Sequence, residues 1–148
     1  MEASRVLRLS RQFDRFYAGR FGTLLERTGW SMAEVHVLLF LANNPGLDTA
    51  RDVVTMRGLA KSQVSQAVER LTDQGVLRRC PDEADRRVVH LSITEKGRPR
   101  AEEARAIQTG CGRALTAGLS PREMEQLRSI MEKVTANVER LAGKELSE

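Results

Sequence analysis

Hydrophobic positions along the chain recur at helical spacing, switch once to alternation, and then return to helical spacing. The first stretch, residues 4–27, carries Val6, Leu9, Phe13, Phe16, Tyr17, Phe21, Leu24 and Leu25, one apolar and unusually aromatic stripe that predicts a single N-terminal helix. A helix at the very start of a chain has little of its own domain to pack against, so the stripe is expected to be covered by a partner subunit. In "TGWSMAEVHVLLFLANNPG", Ser31 with Glu34 three residues on predicts a capping box. The helix it opens is apolar nearly all round, hence buried, and ends before the breaker "NNPG".

"LDTARDVVTMRGLAKSQVSQAVERLTDQGVL" then reads as two short helices. Thr49 and Asp52 cap the first, which turns Ala50, Val53 and Val54 inward. Gly58 makes the connection, because it tolerates a positive φ. The second helix, residues 61–74, has Val64, Val68 and Leu71 on one edge and stops at Gly75. After it, "VLRRC" and "VVHLSI" alternate on either side of "PDEAD", the pattern of a two-stranded hairpin that must pack on the helices before it. A further helix is expected from Thr94, with Ala101, Ala104, Ile107, Cys111 and Leu115 on one face and Pro99 disturbing its opening. Finally Ser120, Pro121 and Glu123 mark a clear helix start. Met124, Leu127, Met131, Val134, Val138 and Leu141 then form a heptad seam suited to helix-on-helix packing.

The order helix, helix, helix–turn–helix, hairpin, helix, helix predicts a mainly α fold with a small β-hairpin wing, which is a winged helix–turn–helix layout. The expected organisation is an N-terminal dimerisation helix (1–30), a winged DNA-binding domain (31–97), and C-terminal linker and dimerisation helices (98–148).

Composition sharpens this in one place. The chain has 148 residues, 41% hydrophobic and 30% charged, with a net charge of +4. Residues 51–100 hold eleven Lys/Arg against seven Asp/Glu, whereas residues 101–148 hold seven against eight. A basic middle points to a polyanionic partner there. The longest apolar run, "VHVLLFLA", is too short to span a membrane. Four arginines interrupt the first fifteen residues, so no signal peptide is read and a cytoplasmic location is expected. Two isolated cysteines, Cys80 and Cys111, and two distant histidines, His36 and His90, support neither a disulfide framework nor a metal site. No GxSxG, HExxH or phosphate-cradling loop is present, so neither an enzyme nor a cofactor is expected.

The second helix of a helix–turn–helix enters the major groove, and its N-terminal residues reach base edges. Here those are Lys61, Ser62, Gln63, Ser65 and Gln66, with Arg70 expected on phosphate. Gln pairs with adenine, Ser serves several bases, and Lys suits guanine or phosphate. The bland alternative is a wet amphipathic face, but this one holds short hydrogen-bonding side chains and no acid before Glu69.

The stretch from "RGLAKSQVSQAVERLTDQGVLRRC" through "PDEADRRVVHLSITEKG" resembles the multiple-antibiotic-resistance regulator (MarR) family of winged-helix repressors. "KSQVSQAVERL" matches the recognition helix, "GVLRR" the first wing strand, "DEADRR" the wing, and "LSITEKG" the second strand and its run into the next helix. The family's Asp-x-Arg signature falls on Asp85 and Arg87, with Ile93-Thr94 in place of its closing Leu-Thr. Three positions depart from the pattern. Ala60 stands where a capping Ser is common, a loss of about 1 kcal/mol, leaving phosphates or Ser62 to order the helix start. His90 replaces an aliphatic residue, and Pro99 interrupts the helix after the wing.

The resemblance implies a homodimer on a pseudo-palindromic double-stranded DNA operator. Arg86 and Arg87 would sit at the wing tip, where one enters the minor groove and Asp85 orients them. It also implies release by a small aromatic effector, for which Phe13, Phe16, Tyr17, Trp30 and His36 are the candidate pocket residues. An aromatic stripe at helical spacing is otherwise core or interface. Two other readings remain beside this one: redox sensing through Cys80 or Cys111, and a winged helix used only for protein contacts.

Overall fold

The computed structural model describes residues 3–145. Its helices are α1 (Ala3–Arg20), α2 (Gly22–Thr28), α3 (Met32–Asn43), α4 (Ala50–Arg57), α5 (Lys61–Asp73), α6 (Arg98–Leu115) and α7 (Pro121–Glu145), with strands β1 (Leu77–Pro81) and β2 (Val89–Ile93) between α5 and α6. The fold is mainly helical with one antiparallel hairpin. Leu77 faces Ile93, Arg79 faces Leu91 and Cys80 faces His90.

The central helix α3 is capped as the sequence predicts. The Ser31 side chain accepts from Ala33, and Glu34 returns to the Ser31 backbone amide at 2.8 Å. Val35, Val37, Leu38 and Leu39 of α3 are fully buried, so apolar residues on all its sides serve as the hub for the others. Helix α5 packs against it through Val64, Ala67, Val68 and Leu71, while Leu77 and Leu91 close the hairpin over the same core. The second predicted box also forms, with Thr49 and Asp52 capping α4 reciprocally. The turn from α4 to α5 needs Gly58, whose φ is 63°.

Two expectations require correction. The single N-terminal helix over 4–27 is two helices. Phe21 leaves the helical path with φ −90° and ψ −2°, and its N–H bonds back only three residues, to Ala18, at 3.1 Å. The break lets Phe21 and Leu24 enter the core, at 0% and 1% exposure, while Val6, Leu9 and Phe13 remain 40–65% exposed.

The helix after the wing starts at Arg98 rather than Thr94. Thr94 instead lies in the turn just after β2, donating its hydroxyl to the Gly75 carbonyl at 2.6 Å and accepting from the Gly97 amide at 3.0 Å. Pro99 therefore falls in the first turn, where no helical N–H is needed, and the helix is not interrupted. Gly97 is required for a separate reason. A Cβ there would sit 2.3 Å from the Val76 carbonyl oxygen.

The chain divides into two units, one ending at Cys111 and one starting at Gly112. In the second unit Ser120 and Glu123 cap α7 reciprocally. Along α7, Leu127, Met131, Val134, Val138 and Leu141 are 39–60% exposed in the single chain.

Candidate nucleic-acid interface

Burial of Val64, Val68 and Leu71 leaves the opposite face of α5 in solvent. Lys61, Ser62, Gln63, Ser65 and Gln66 are all exposed, within the first two turns of the helix. Its start has no side-chain acceptor at Ala60, which adopts an extended N-cap conformation. The Gln63 Oε1 accepts from the Ala60 amide at 3.3 Å, which supplies one half of a capping box. The residue that orders this start is therefore Gln63, not Ser62.

Arg70 makes two contacts within the protein. Its guanidinium donates to the Gly29 carbonyl at 3.0 Å and lies 3.4 Å from Glu34, itself 2% exposed. A buried carboxylate needs such a partner, so Arg70 ties α5 to the α2–α3 junction, while its side chain stays half exposed.

The wing is built from polar contacts. The Asp82 Oδ1 accepts from the amides of Ala84 and Asp85, each at 2.8 Å, and the Asp85 Oδ1 accepts from the Arg87 amide at 3.0 Å. These bonds stabilise the ionised Asp82, holding its carboxyl below the usual range, with the Asp85 amide the largest cause and His90 the next. Asp85 and both arginines are exposed. Among the described residues neither Arg86 nor Arg87 has an ion pair, although Asp82, Glu83 and Asp85 are close in sequence. Both guanidinium groups therefore face solvent.

One part of this site had no sequence signal. His90 of β2 puts Nδ1 2.6 Å from Asp48 Oδ1 and Nε2 3.0 Å from Asp82 Oδ2. A groove of about 640 Å³ also opens between α4, α5 and the hairpin. Val54, Val64, Val68, Val89 and Leu91 line it, together with Arg51, Lys61 and Arg79.

Of the five candidate effector residues, three come together. Phe13 stacks on Tyr17 with ring centroids 5.8 Å apart, and Tyr17 stacks on His36 at 6.3 Å. The Gln108 amide donates to the Tyr17 hydroxyl at 3.2 Å. The buried His36 Nδ1 has no hydrogen-bond partner among the described residues, and burial followed by the charge of Arg57 lowers the His36 pKa. Trp30 instead donates its indole N–H to Gln74 at 2.6 Å and is 5% exposed. Phe16 is half-buried and makes no ring contact with the others among the described residues.

A helix–turn–helix with a basic hairpin behind it defines a winged-helix protein. Residues 28–88, which run from the end of α2 through the turn of the hairpin, match the model of the MarR family. The chain is 29% identical over 84 residues to the transcriptional repressor MprA of Escherichia coli. That match covers 57% of this chain and 48% of the relative, so the matched region is about half the relative's length. Among solved structures, BpsR of Bordetella bronchiseptica, whose DNA binding is regulated by 6-hydroxynicotinic acid, is similar at 25% identity with a TM-score of 0.69. The similarity covers 88% of this chain and 98% of that one. A MarR transcriptional regulator from Methanosarcina mazei has the same fold, with a TM-score of 0.79 at 20% identity over 93% of this chain and 99% of that one. No described helix is long and apolar enough to cross a membrane.

Proposed function

We propose that the protein is a sequence-specific DNA-binding transcriptional regulator that acts as a homodimer and represses by occupying a pseudo-palindromic operator. The observation that carries this reading is the exposed, acid-free start of α5, with Lys61, Ser62, Gln63, Ser65 and Gln66 beside a wing whose two arginines are exposed and have no ion pair among the described residues. The α5 residues read base edges in the major groove, and Arg86 and Arg87 meet the adjoining minor groove and phosphate. The exposed apolar positions of α1 and of α7 are the surfaces a second copy covers, which gives the two-fold symmetry a palindrome requires.

A small aromatic effector is the second element of the proposal. Its candidate contacts are Phe13, Tyr17 and His36, where a ring can join an existing stack. The regulation of BpsR by an aromatic acid supports this class of ligand.

The experiment is selection of bound duplexes from a random DNA pool, followed by titration of the winner. The expected result is an inverted repeat with half-sites centred about 10 bp apart, bound by two chains. Recovery of no common sequence would overturn the assignment. Small aromatic acids screened for release of that duplex then test the effector.

A further inference from the structure

We propose that His90 is a positioning residue for the wing: an imidazolium clamped between Asp48 and Asp82 that fixes the arginine-bearing turn against the helix–turn–helix. Only the consequence for DNA rests on the function proposed above; the clamp itself is a matter of geometry.

Asp48 immediately precedes the cap of α4. Its backbone carbonyl accepts from the Leu91 amide at 2.7 Å, and Thr49 forms an isolated β-bridge with His90. The start of α4 is therefore stitched to β2, and the Asp48 carboxylate lies 2.6 Å from His90 Nδ1. On the other side of the ring Asp82 Oδ2 lies 3.0 Å from Nε2. Ionised carboxylates only accept hydrogen bonds. A neutral imidazole satisfies one of them and turns a lone pair toward the other, so the arrangement calls for the doubly protonated ring. Its two nitrogens face apart, so the three side chains cannot share one metal ion.

From Asp82 the connection continues without a gap. Its second oxygen holds the Ala84 and Asp85 amides, and Asp85 holds the Arg87 amide. The Asp82 amide and the Val88 carbonyl close the base of the turn at 2.9 Å. A single hydrogen-bonded path thus runs from α4 through His90 to the backbone of Arg87.

The charges that act on the ring are those two carboxylates, Asp48 the more strongly, and both raise its pKa above the ordinary value of about 6.5. The cations on the elements packed against β2 are Arg51 and Arg57 of α4 and Arg78 and Arg79 of β1, and none of them is among the groups that shift His90. Asp52 is bound to Thr49, Cys80 is the cross-strand neighbour on β1, and of α3's two titratable groups, Glu34 pairs with Ser31 and Arg70 and His36 stacks on Tyr17. A raised folded-state pKa means that the clamp is complete below about pH 6.5 and is lost as pH rises through the raised value.

The test uses the full chain, first without DNA. Nitrogen NMR of the His90 ring is expected to show both nitrogens protonated at pH values where an ordinary imidazole, with a pKa of about 6.5, has lost its second proton. Exchange protection of the Ala84, Asp85 and Arg87 amides should fall as the ring titrates. His90→Leu should show low protection at every pH. Asp82→Asn keeps an oxygen for the turn amides and offers an N–H to the lone pair of a neutral ring, so it should retain protection where the ring is neutral and lack the alkaline-side fall. A ring titrating at or below about 6.5, or wing amides indifferent to it, overturns the proposal.

With the selected duplex, wild-type affinity should weaken about two- to fivefold across the titration, the scale of a partly exposed ion pair, and the two variants should show no such step. If the amides follow His90 but the affinity of every form is flat, the clamp stands and the DNA-reading role of the wing fails.

Discussion

Helix α5 and the wing form adjoining parts of one surface, yet different forces hold them. Helix α5 is anchored by burial, with Val64 and Leu71 0% and Val68 3% exposed. Between the strands the turn has nothing buried, and three side chains, Asp82, Asp85 and His90, bond it together. Burial energy is nearly indifferent to salt and pH, whereas partly exposed ionic contacts respond to both. The helix should therefore behave as a fixed reader and the wing as an adjustable one.

The strongest way to break this contrast is to remove the anchor. Leu71→Ala should cost about 2–5 kcal/mol of global stability, as for other buried leucines, measured by urea unfolding of the chain. Alanine at Asp85, in the wing, should leave the unfolding midpoint nearly unchanged. Equal losses in the two variants would mean that the wing belongs to the same cooperative unit as the core.

Next in size is base reading. Gln66 is the cleaner probe, because Gln63 is already engaged in ordering the start of α5. Gln66→Ala should change preference at one base position per half-site by about 1–3 kcal/mol, visible when selection is repeated with the variant. An unchanged motif would remove Gln66 from the reading set. For the wing, Arg87→Ala should reduce the slope of log affinity against log salt by about one per half-site while leaving the preferred sequence intact at the positions read by α5. A parallel salt dependence in the two proteins would argue that Arg87 is not at the DNA.

The same contrast explains what can be read from the sequence. Helix α5 with its buried edge of Val64, Val68 and Leu71 is a periodic signal that burial enforces, and the caps at Ser31, Thr49 and Ser120 are fixed-offset signals enforced by local hydrogen bonds. The hairpin is legible as alternation around a turn. The break at Phe21 leaves no trace, because the apolar stripe stays in phase across it; the demand of the core for the Phe21 ring decides the path. Thr94 reads as a helix start although it lies in the turn between β2 and α6, since its partner Gly75 lies nineteen residues back. The Asp48–His90 contact spans forty-two residues, and Arg70 reaches back to Gly29 and Glu34. Such polar pairings follow no period, so the sequence shows the residues but not the partnership.

A smaller effect tests the start of α5. Ala60→Ser would supply the acceptor missing at the N-cap and complete the box with Gln63, adding about 0.5–1 kcal/mol to stability. The gain should appear as a higher urea midpoint. If α5 is instead ordered mainly by DNA, the free protein will gain nothing and only the complex will tighten.

The two histidines carry the contrast to its weakest measurable consequence. His90 is exposed enough to be charged and has two carboxylates to favour that charge. His36 lies on α3 against Tyr17 with a buried Nδ1 that has no hydrogen-bond partner among the described residues, and burial holds its pKa below the ordinary value. The unfolded chain then binds a proton that the folded chain refuses, so stability attached to His36 is present above about pH 6.5 and declines as pH falls below it. This is the opposite sign to His90. His36→Phe retains a flat ring on Tyr17 and cannot titrate, so its unfolding free energy should lose the acid-side decline between about pH 6.5 and the lowered value. The alkaline-side change linked to His90 should remain. A variant whose stability still falls in that acid window, in parallel with the wild type, would show that the neutral His36 is not what the folded core selects.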